Sequence, residues 1–223
     1  MLRQAIVAAG GKGTRLGALA KKYGNKSLIQ IRGLPILWYT LKWLKEVGVE
    51  EIIITVNYMS EYRRIKELFG KDPQIAMVYN RYRKSSAQCI APLLAMLDTR
   101  FLFVYGHAPV PPDHLLNLAG VAEKGVVVSL YASTTQGATR KPANLSGYLV
   151  TMNASGSLFM EPPHVLTHEF VELLAKTGSW GVSFQGYRGP LAGVQANHHS
   201  EFHYRHDFAA FKKYMIELLK SKK

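Results

Sequence analysis

Residues 8–16 read Ala8-Ala9-Gly10-Gly11-Lys12-Gly13-Thr14-Arg15-Leu16, a run of small residues carrying two cations. Small residues let the backbone approach a ligand closely and adopt positive φ. Successive backbone N–H groups in such a turn form a concavity that binds anions. Lys12 and Arg15 add positive charge, and the Arg15 guanidinium can grip a phosphate through two donors. Lys26, eleven residues further on, offers a third cation. Two common phosphate motifs do not fit. A P-loop needs Ser or Thr directly after Gly-Lys, and here Gly13 follows Lys12. A dinucleotide fingerprint needs a glycine where Leu16 stands. The plain alternative is a glycine turn with no ligand. Its position directly after an apolar run, with two cations inside it, favours the phosphate site.

The chain has 8 histidines, and His198, His199, His203 and His206 crowd together. Imidazole clusters serve as metal sites, and they are also common on plain surface loops. This one has no cysteine partners and no known ligand spacing, so by itself it is weak evidence for a metal. The single cysteine, Cys89, lies in the mostly apolar run from Ala87 to Leu97 and reads as core. One cysteine excludes an intrachain disulfide framework.

These residues need elements to hold them. Ala5–Ala9 is a short apolar run stopped by Gly10-Gly11, which predicts a buried strand feeding the glycine loop. Ile52–Val56, Ile75–Tyr79, Phe101–Tyr105 and Val126–Tyr131 predict further strands. Between them, Pro35–Val47 shows one-sided helical spacing with Pro in its first turn. Glu61–Phe69, Ser86–Leu97 and His114–Glu123 read as helices, the second capped by Ser85 or Ser86 and kinked or delayed by Pro92. Strands apolar on both faces that alternate with helices predict an α/β fold. The expected form is a three-layer Rossmann-like domain, with a mostly parallel sheet flanked by helices. Ligands in such sheets bind beyond the carboxyl ends of the strands, here after Ala9, Tyr79 and Tyr105.

Beyond Tyr131 the pattern weakens. Residues 134–144 read as a loop, and Gly147–Met152 with Ser157–Met160 read as a hairpin around residues 153–156. A helix is expected over Val165–Lys176, a strand near Gly181–Gln185 and a last helix over Asp207–Leu219. No repeat or linker divides the 223 residues, so one domain is expected: a nucleotide-binding part over 1–131 and an acceptor-binding part over 132–223.

The chain carries 28 Lys and Arg against 15 Asp and Glu, a net charge of +13. That excess attracts polyanions such as nucleotides, sugar phosphates, nucleic acid or anionic lipid, and it is also compatible with a solvated basic surface alone. No aromatic-rich basic strand or helix-turn-helix signature supports nucleic acid. No apolar stretch approaches the length of a membrane span, and Ala5–Ala9 is too short for a signal-peptide core, so a cytoplasmic protein is expected.

The ordered motifs of residues 5–44 resemble the sugar-phosphate nucleotidyltransferase family. They are Ala-Gly-Gly-Lys-Gly-Thr-Arg-Leu at 9–16, Lys26, then Gly33-Leu34-Pro35-Ile36-Leu37, with Val47–Ile54 continuing the pattern. The molybdenum-cofactor guanylyl- and cytidylyltransferases share part of the motif, with the lysine closer to the arginine. The resemblance implies a GT-A-like nucleotidyltransferase fold and a reaction. A sugar 1-phosphate, or a similar phosphate acceptor, attacks the α-phosphorus of a nucleoside triphosphate, and pyrophosphate leaves. It implies nucleotide contacts from Ala8, Ala9, Gly10, Gly11, Lys12, Gly13 and Thr14, with Arg15 and Lys26 in the catalytic roles. It also implies a divalent metal, Mg²⁺ or Mn²⁺/Co²⁺.

The sequence departs from the family at four places. Its base-contacting Gln-x4-Gly-Thr-Ala stretch corresponds here to Asn80-Arg81-Tyr82-Arg83-Lys84-Ser85-Ser86-Ala87, which makes Asn80, Ser85, Ser86 and Ala87 the base-side candidates. Its metal-holding Gly-Asp corresponds to Gly106-His107. Its Glu-Lys-Pro corresponds to Glu161-Pro162-Pro163, without the lysine. Its late metal-binding aspartate falls near Asp207, off register by a few residues. His107 and Asp207 are thus the metal candidates. A hard cation such as Mg²⁺ prefers carboxylates, whereas imidazole suits Zn²⁺, Mn²⁺ or Co²⁺. Two readings follow: an enzyme with a rebuilt metal side, or a nucleotide or nucleotide-sugar binder that regulates or partners another chain.

Overall fold

The computed structural model describes residues 2–11, 13–81, 89–121, 125–132, 149–150, 158–196, 202 and 205–221. Strands β1 (Gln4–Ala8), β4 (Glu51–Val56), β5 (Ile75–Tyr79) and β6 (Arg100–Tyr105) lie side by side in the order β5-β4-β1-β6, all parallel. Their neighbour relations and direction are those expected from the four apolar runs. The sheet continues through β9 (Leu158–Thr167), β7 (Val126–Ala132), β10 (Leu191–Ala196) and β8 (Leu149–Val150). Among the described strands of this sheet, β9 alone runs antiparallel to its neighbours, β6 and β7. A separate short ribbon pairs β2 (Gln30–Ile31) with β3 (Leu34–Pro35).

Alternation along the strands builds two cores. Ala5 and Val7 of β1 face one core with Ile52, Ile54 and Val104; Ile6 faces the other with Ile53, Phe101 and Phe103. The first core is closed by α2 (Ile36–Glu46), α3 (Met59–Phe69), α4 (Pro112–Gly120) and α7 (Arg205–Ser221), which contribute Leu37, Trp43, Ile65, Leu118 and Met215. The second is closed by α5 (His168–Thr177), α6 (Trp180–Gly186) and the 3-10 turn Ala91–Met96. Of the helix expected over Ser86–Leu97, Cys89 and Ile90 are α-helical and Ala91–Met96 form that turn, with Pro92 near its start; residues 86–88 lie outside the described residues. A further helix, α1 (Ala18–Tyr23), follows the glycine loop.

Three expectations for the second half fail. Among the described residues the strands expected to make a hairpin around residues 153–156 do not pair with each other: β8 pairs with β10 at the sheet edge, while β9 inserts between β6 and β7. β9 also extends to Thr167, so the helix expected from Val165 starts at His168. Pro162 and Pro163 are tolerated inside the sheet because the ladder skips them. Pairing with β7 breaks between Met160 and His164, at a register shift opposite Val128–Leu130. The two proline carbonyls accept from Tyr131 Oη (3.3 Å) and Ser129 Oγ (2.7 Å) instead.

The strand expected near Gly181–Gln185 is helix α6. Ser179 caps it, its side chain accepting from the Val182 N–H, and Trp180 and Phe184 stack one turn apart at 5.9 Å. The strand in this region is β10, six residues on, where Gly193 passes so close to Leu130 that a Cβ would sit 2.5 Å from its Cδ1. No helix among the described residues is long and apolar enough to cross a membrane.

Candidate functional site

The site lies at the carboxyl ends of β1, β4 and β6. β1 ends at Ala8, and Ala9 N donates to Thr55 O of β4 (2.9 Å) while Gly106 N donates to Ala8 O (2.9 Å). The glycine loop therefore leaves the sheet clamped on both sides. Gly11 has φ 140° and Gly13 has φ 59°, conformations that L side chains rarely adopt. Gly10 passes over Asn57, where a Cβ would meet Asn57 Cγ at 2.9 Å. Thr14–Leu16 forms one 3-10 turn that points Thr14 and Arg15 outward and buries Leu16. Lys12 lies outside the described residues.

Lys26 is brought to this loop by its own 3-10 turn, Lys26–Leu28. Lys26 N donates to Gly11 O (3.4 Å), and a Cβ on Gly13 would stand 2.5 Å from Lys26 Cγ. Asn25 organises the junction from within. It is 1% exposed; its Nδ2 donates to Ala9 O (2.7 Å) and its Oδ1 accepts from Ser27 N (2.7 Å). From the other side Glu61, 3% exposed in the first turn of α3, accepts the Gly11 N–H through Oε1 (3.3 Å). Burial pushes the Glu61 carboxyl up; bonds from the Gly11 N–H, the Asn25 side chain and the Asn57 and Tyr58 N–H groups oppose that. Asn25 and Glu61 were not singled out in the sequence. Asn25 follows a turn glycine and precedes Lys26, a faint signal, whereas Glu61 looks like any acid in a helix's first turn.

The β6 side of the site has a different chemistry. Gly106 is wedged between Ser27 and Ala9, and a Cβ there would lie 3.0 Å from Ser27 Oγ and 3.1 Å from Ala9 Cβ. This close approach holds Gly106, the residue before His107, against Ala9. The His107 ring is buried, stacked on Tyr105 (centroids 5.4 Å, 13° between planes) and edge-on to Phe202 (6.1 Å, 85°). Phe202 is fully buried, and Lys26 Nζ stands 4.9 Å above its ring. Phe208 and Phe211 of α7 complete the group, at 5.2 and 4.7 Å from Phe202. Asp207 opens α7 next to Phe208 and is half-buried. Among the described residues no group of three or more His, Cys, Asp or Glu could hold a metal ion. The donors described on this side, one imidazole among aromatic rings and the single carboxylate of Asp207, with the Lys26 ammonium over Phe202, do not make a carboxylate cage for Mg²⁺. His198, His199 and His203 lie outside the described residues.

Asn80 follows β5, buried, with its backbone N–H on Val56 O (2.8 Å) and its amide donating to Cys89 O (3.3 Å). The segment with Ser85, Ser86 and Ala87 lies outside the described residues. Pro162, where the resemblance anticipates a lysine, is buried inside the sheet.

Residues 5–177 match the MobA-like NTP transferase domain family, and the chain belongs to it. It is 36% identical over 78 residues to choline-phosphate cytidylyltransferase of Streptococcus pneumoniae, which covers 34% of this chain and 32% of that protein. It is 29% identical over 105 residues to UTP–glucose-1-phosphate uridylyltransferase of Haloferax volcanii, covering 46% of this chain and 42% of the relative. These matches thus span about a third to two fifths of the relatives' length. In fold, the chain is similar to a nucleotidyl transferase from Methanothermobacter thermautotroptrophicus (TM-score 0.70, 18% identity, 96% of this chain and 98% of that one). It is also similar to the manganese complex of Rv0371C from Mycobacterium tuberculosis (TM-score 0.64, 17% identity, 96% and 99%).

Proposed function

We propose that the protein transfers a nucleoside monophosphate from a nucleoside triphosphate to a phosphate acceptor, a sugar 1-phosphate or a similar alcohol phosphate, and releases pyrophosphate. An acceptor phosphate oxygen forms the new bond to the α-phosphorus. The bond from the α-phosphorus to the oxygen bridging it to the β-phosphorus breaks, and its electron pair leaves with pyrophosphate. The observation that carries this reading is the junction of the glycine loop with the Lys26 turn. The glycine loop, with Arg15 exposed in its 3-10 turn, meets the Lys26 turn at the carboxyl edge of a parallel sheet, and in-line transfer needs positive charge and alignment and no protein nucleophile. Residues 1–131 supply the nucleotide part, with Asn80 and the segment of Ser85, Ser86 and Ala87 on the base side, and residues 132–223 the acceptor part. The relatives' names support a range of acceptors, since one carries choline phosphate and another glucose 1-phosphate.

A second reading rests on His107. A buried imidazole packed between Tyr105 and Phe202 is poorly suited to bind Mg²⁺, which favours a chain that binds nucleotide without transferring it. One screen separates the two. Pyrophosphate release is measured with each nucleoside triphosphate, a panel of sugar 1-phosphates and alcohol phosphates, and Mg²⁺, Mn²⁺, Co²⁺ or Zn²⁺. Turnover with any combination supports transfer. No turnover, together with calorimetric binding of a triphosphate, supports the binder.

A further inference from the structure

We propose that Asn25 and Glu61 are positioning residues: together they hold the glycine loop and the Lys26 turn in one fixed relation before a nucleotide arrives. The inference rests on the reading of this loop as the triphosphate site.

The loop needs such a device. Gly11 and Gly13 occupy positive φ, and the loop's glycines have large conformational freedom in the unfolded chain, so ordering them is costly. If that cost fell at the moment of binding, affinity would fall with it. In this structure it is met by the fold. The Ala9 carbonyl takes the Asn25 amide at 2.7 Å, the Gly11 N–H is held by Glu61 at 3.3 Å, and the Gly11 carbonyl takes the Lys26 N–H at 3.4 Å. The same Asn25 side chain accepts the Ser27 N–H and so caps the turn that presents Lys26. One side chain therefore grips the loop with its nitrogen and the lysine turn with its oxygen. Both braces are buried, Asn25 at 1% and Glu61 at 3% exposure, where a hydrogen bond is little weakened by water and a missing partner is costly. Neither side chain points outward as Thr14 and Arg15 do, so neither is placed as a direct ligand.

The arrangement gives the two near-isosteric substitutions opposite outcomes. Glu61→Gln keeps an oxygen to accept the Gly11 N–H. Asn25→Asp keeps the cap on Ser27 N but removes the amide donor to Ala9 O and to Glu61, and sets a carboxylate against both. Amide hydrogen exchange by NMR on the nucleotide-free protein reads the brace directly. Binding of tripolyphosphate and of each nucleoside triphosphate by calorimetry reads its consequence. We expect Gly11 exchange to rise at least tenfold in Glu61→Ala and to stay protected in Glu61→Gln. Exchange in the loop should rise in Asn25→Asp, while sheet amides such as Val128 keep their wild-type rates. Triphosphate affinity should fall roughly tenfold in Asn25→Asp and Glu61→Ala and recover in Glu61→Gln. Wild-type exchange at the loop in both impaired variants overturns the proposal, and so does unchanged affinity in both. Loss of binding in Glu61→Gln equal to that in Glu61→Ala also overturns it, by giving the charge and not the bond the working role. Absence of triphosphate binding by the wild type, with the exchange changes as expected, sinks the nucleotide reading and leaves the brace standing.

Discussion

The two sides of the site are built from opposite materials. The glycine-loop side is backbone and hydrogen bonds: positive-φ glycines, the Asn25 amide and the Glu61 carboxyl fix the loop, and Arg15 stands outside it. The β6 side is aromatic: Tyr105, His107 and Phe202 pack ring to ring, with Phe208 and Phe211 behind them. Lys26 belongs to both, its backbone on Gly11 and its ammonium over Phe202. The first side keeps the glycine motif from which the resemblance implies triphosphate binding. The second has packing where the resemblance implies metal chemistry. On the proposed reading the two sides can diverge separately, because a loop that binds through its backbone tolerates side-chain change and a metal side built from a few side chains does not.

The sharpest way to break this contrast is to remove its aromatic centre. Phe202→Ala should cost about 3–5 kcal/mol of stability, the usual toll for deleting a buried phenyl ring, and urea unfolding measures it. A variant as stable as the wild type would show that the ring cluster is incidental. On the other side, Arg15→Ala should leave the unfolding midpoint unchanged and weaken triphosphate binding by about 1.5–3 kcal/mol, the range for a charged hydrogen bond. Calorimetry that finds equal affinities would remove Arg15 from the site.

A smaller effect separates scaffold from site. His114, in α4 and bonded to Ser129 Oγ at 2.9 Å, is held at a pKa of about 4 by burial, against which Asp113 acts only weakly. Burial alone carries His164 to about 3, with the Pro163 backbone opposing it. Both folded values lie below that of the unfolded chain. The unfolded state therefore takes up protons first, and stability falls as pH drops from about 6.5 towards 4, by up to ~1.4 kcal/mol per pH unit for each histidine. Thermal melts across that window should show the slope, and His114→Asn should reduce it. An unchanged slope would move the effect to other groups.

The smallest expected change concerns His107. If transfer occurs, His107→Asp should shift metal preference towards Mg²⁺ relative to Mn²⁺ or Co²⁺, since a carboxylate is the harder ligand. The ratio of pyrophosphate-release rates with each ion measures this. An identical ratio would make His107 a packing residue only.

Most of the first half was legible because its signals are local. The runs Ala5–Ala9, Ile52–Val56, Ile75–Tyr79 and Phe101–Tyr105 each declare a strand by unbroken apolar character, and they stand side by side in the order β5-β4-β1-β6. The second half hid its organisation. β9 carries Pro162-Pro163 beyond Met160, where the expected strand ends, and the ladder skips them. β10 holds a glycine whose purpose is only the nearness of Leu130. Gly181–Gln185 is too short for periodicity to tell helix from strand, and the Ser179 cap with the Trp180–Phe184 stack decides for helix.

The sequence by itself determined the glycine loop, its cations and the parallel half of the sheet, because backbone conformation and apolar runs are written in consecutive residues. Tertiary structure alone decided which side chains stand behind them. Asn25 and Glu61 are 36 positions apart in the chain and meet at Ala9 and Gly11 only because α3 and the Lys26 turn pack against the same loop. Phe202 reaches Lys26 and His107 from the far end of the chain in the same way. Contacts of that range depend on how the layers close, and no local pattern of residues records them.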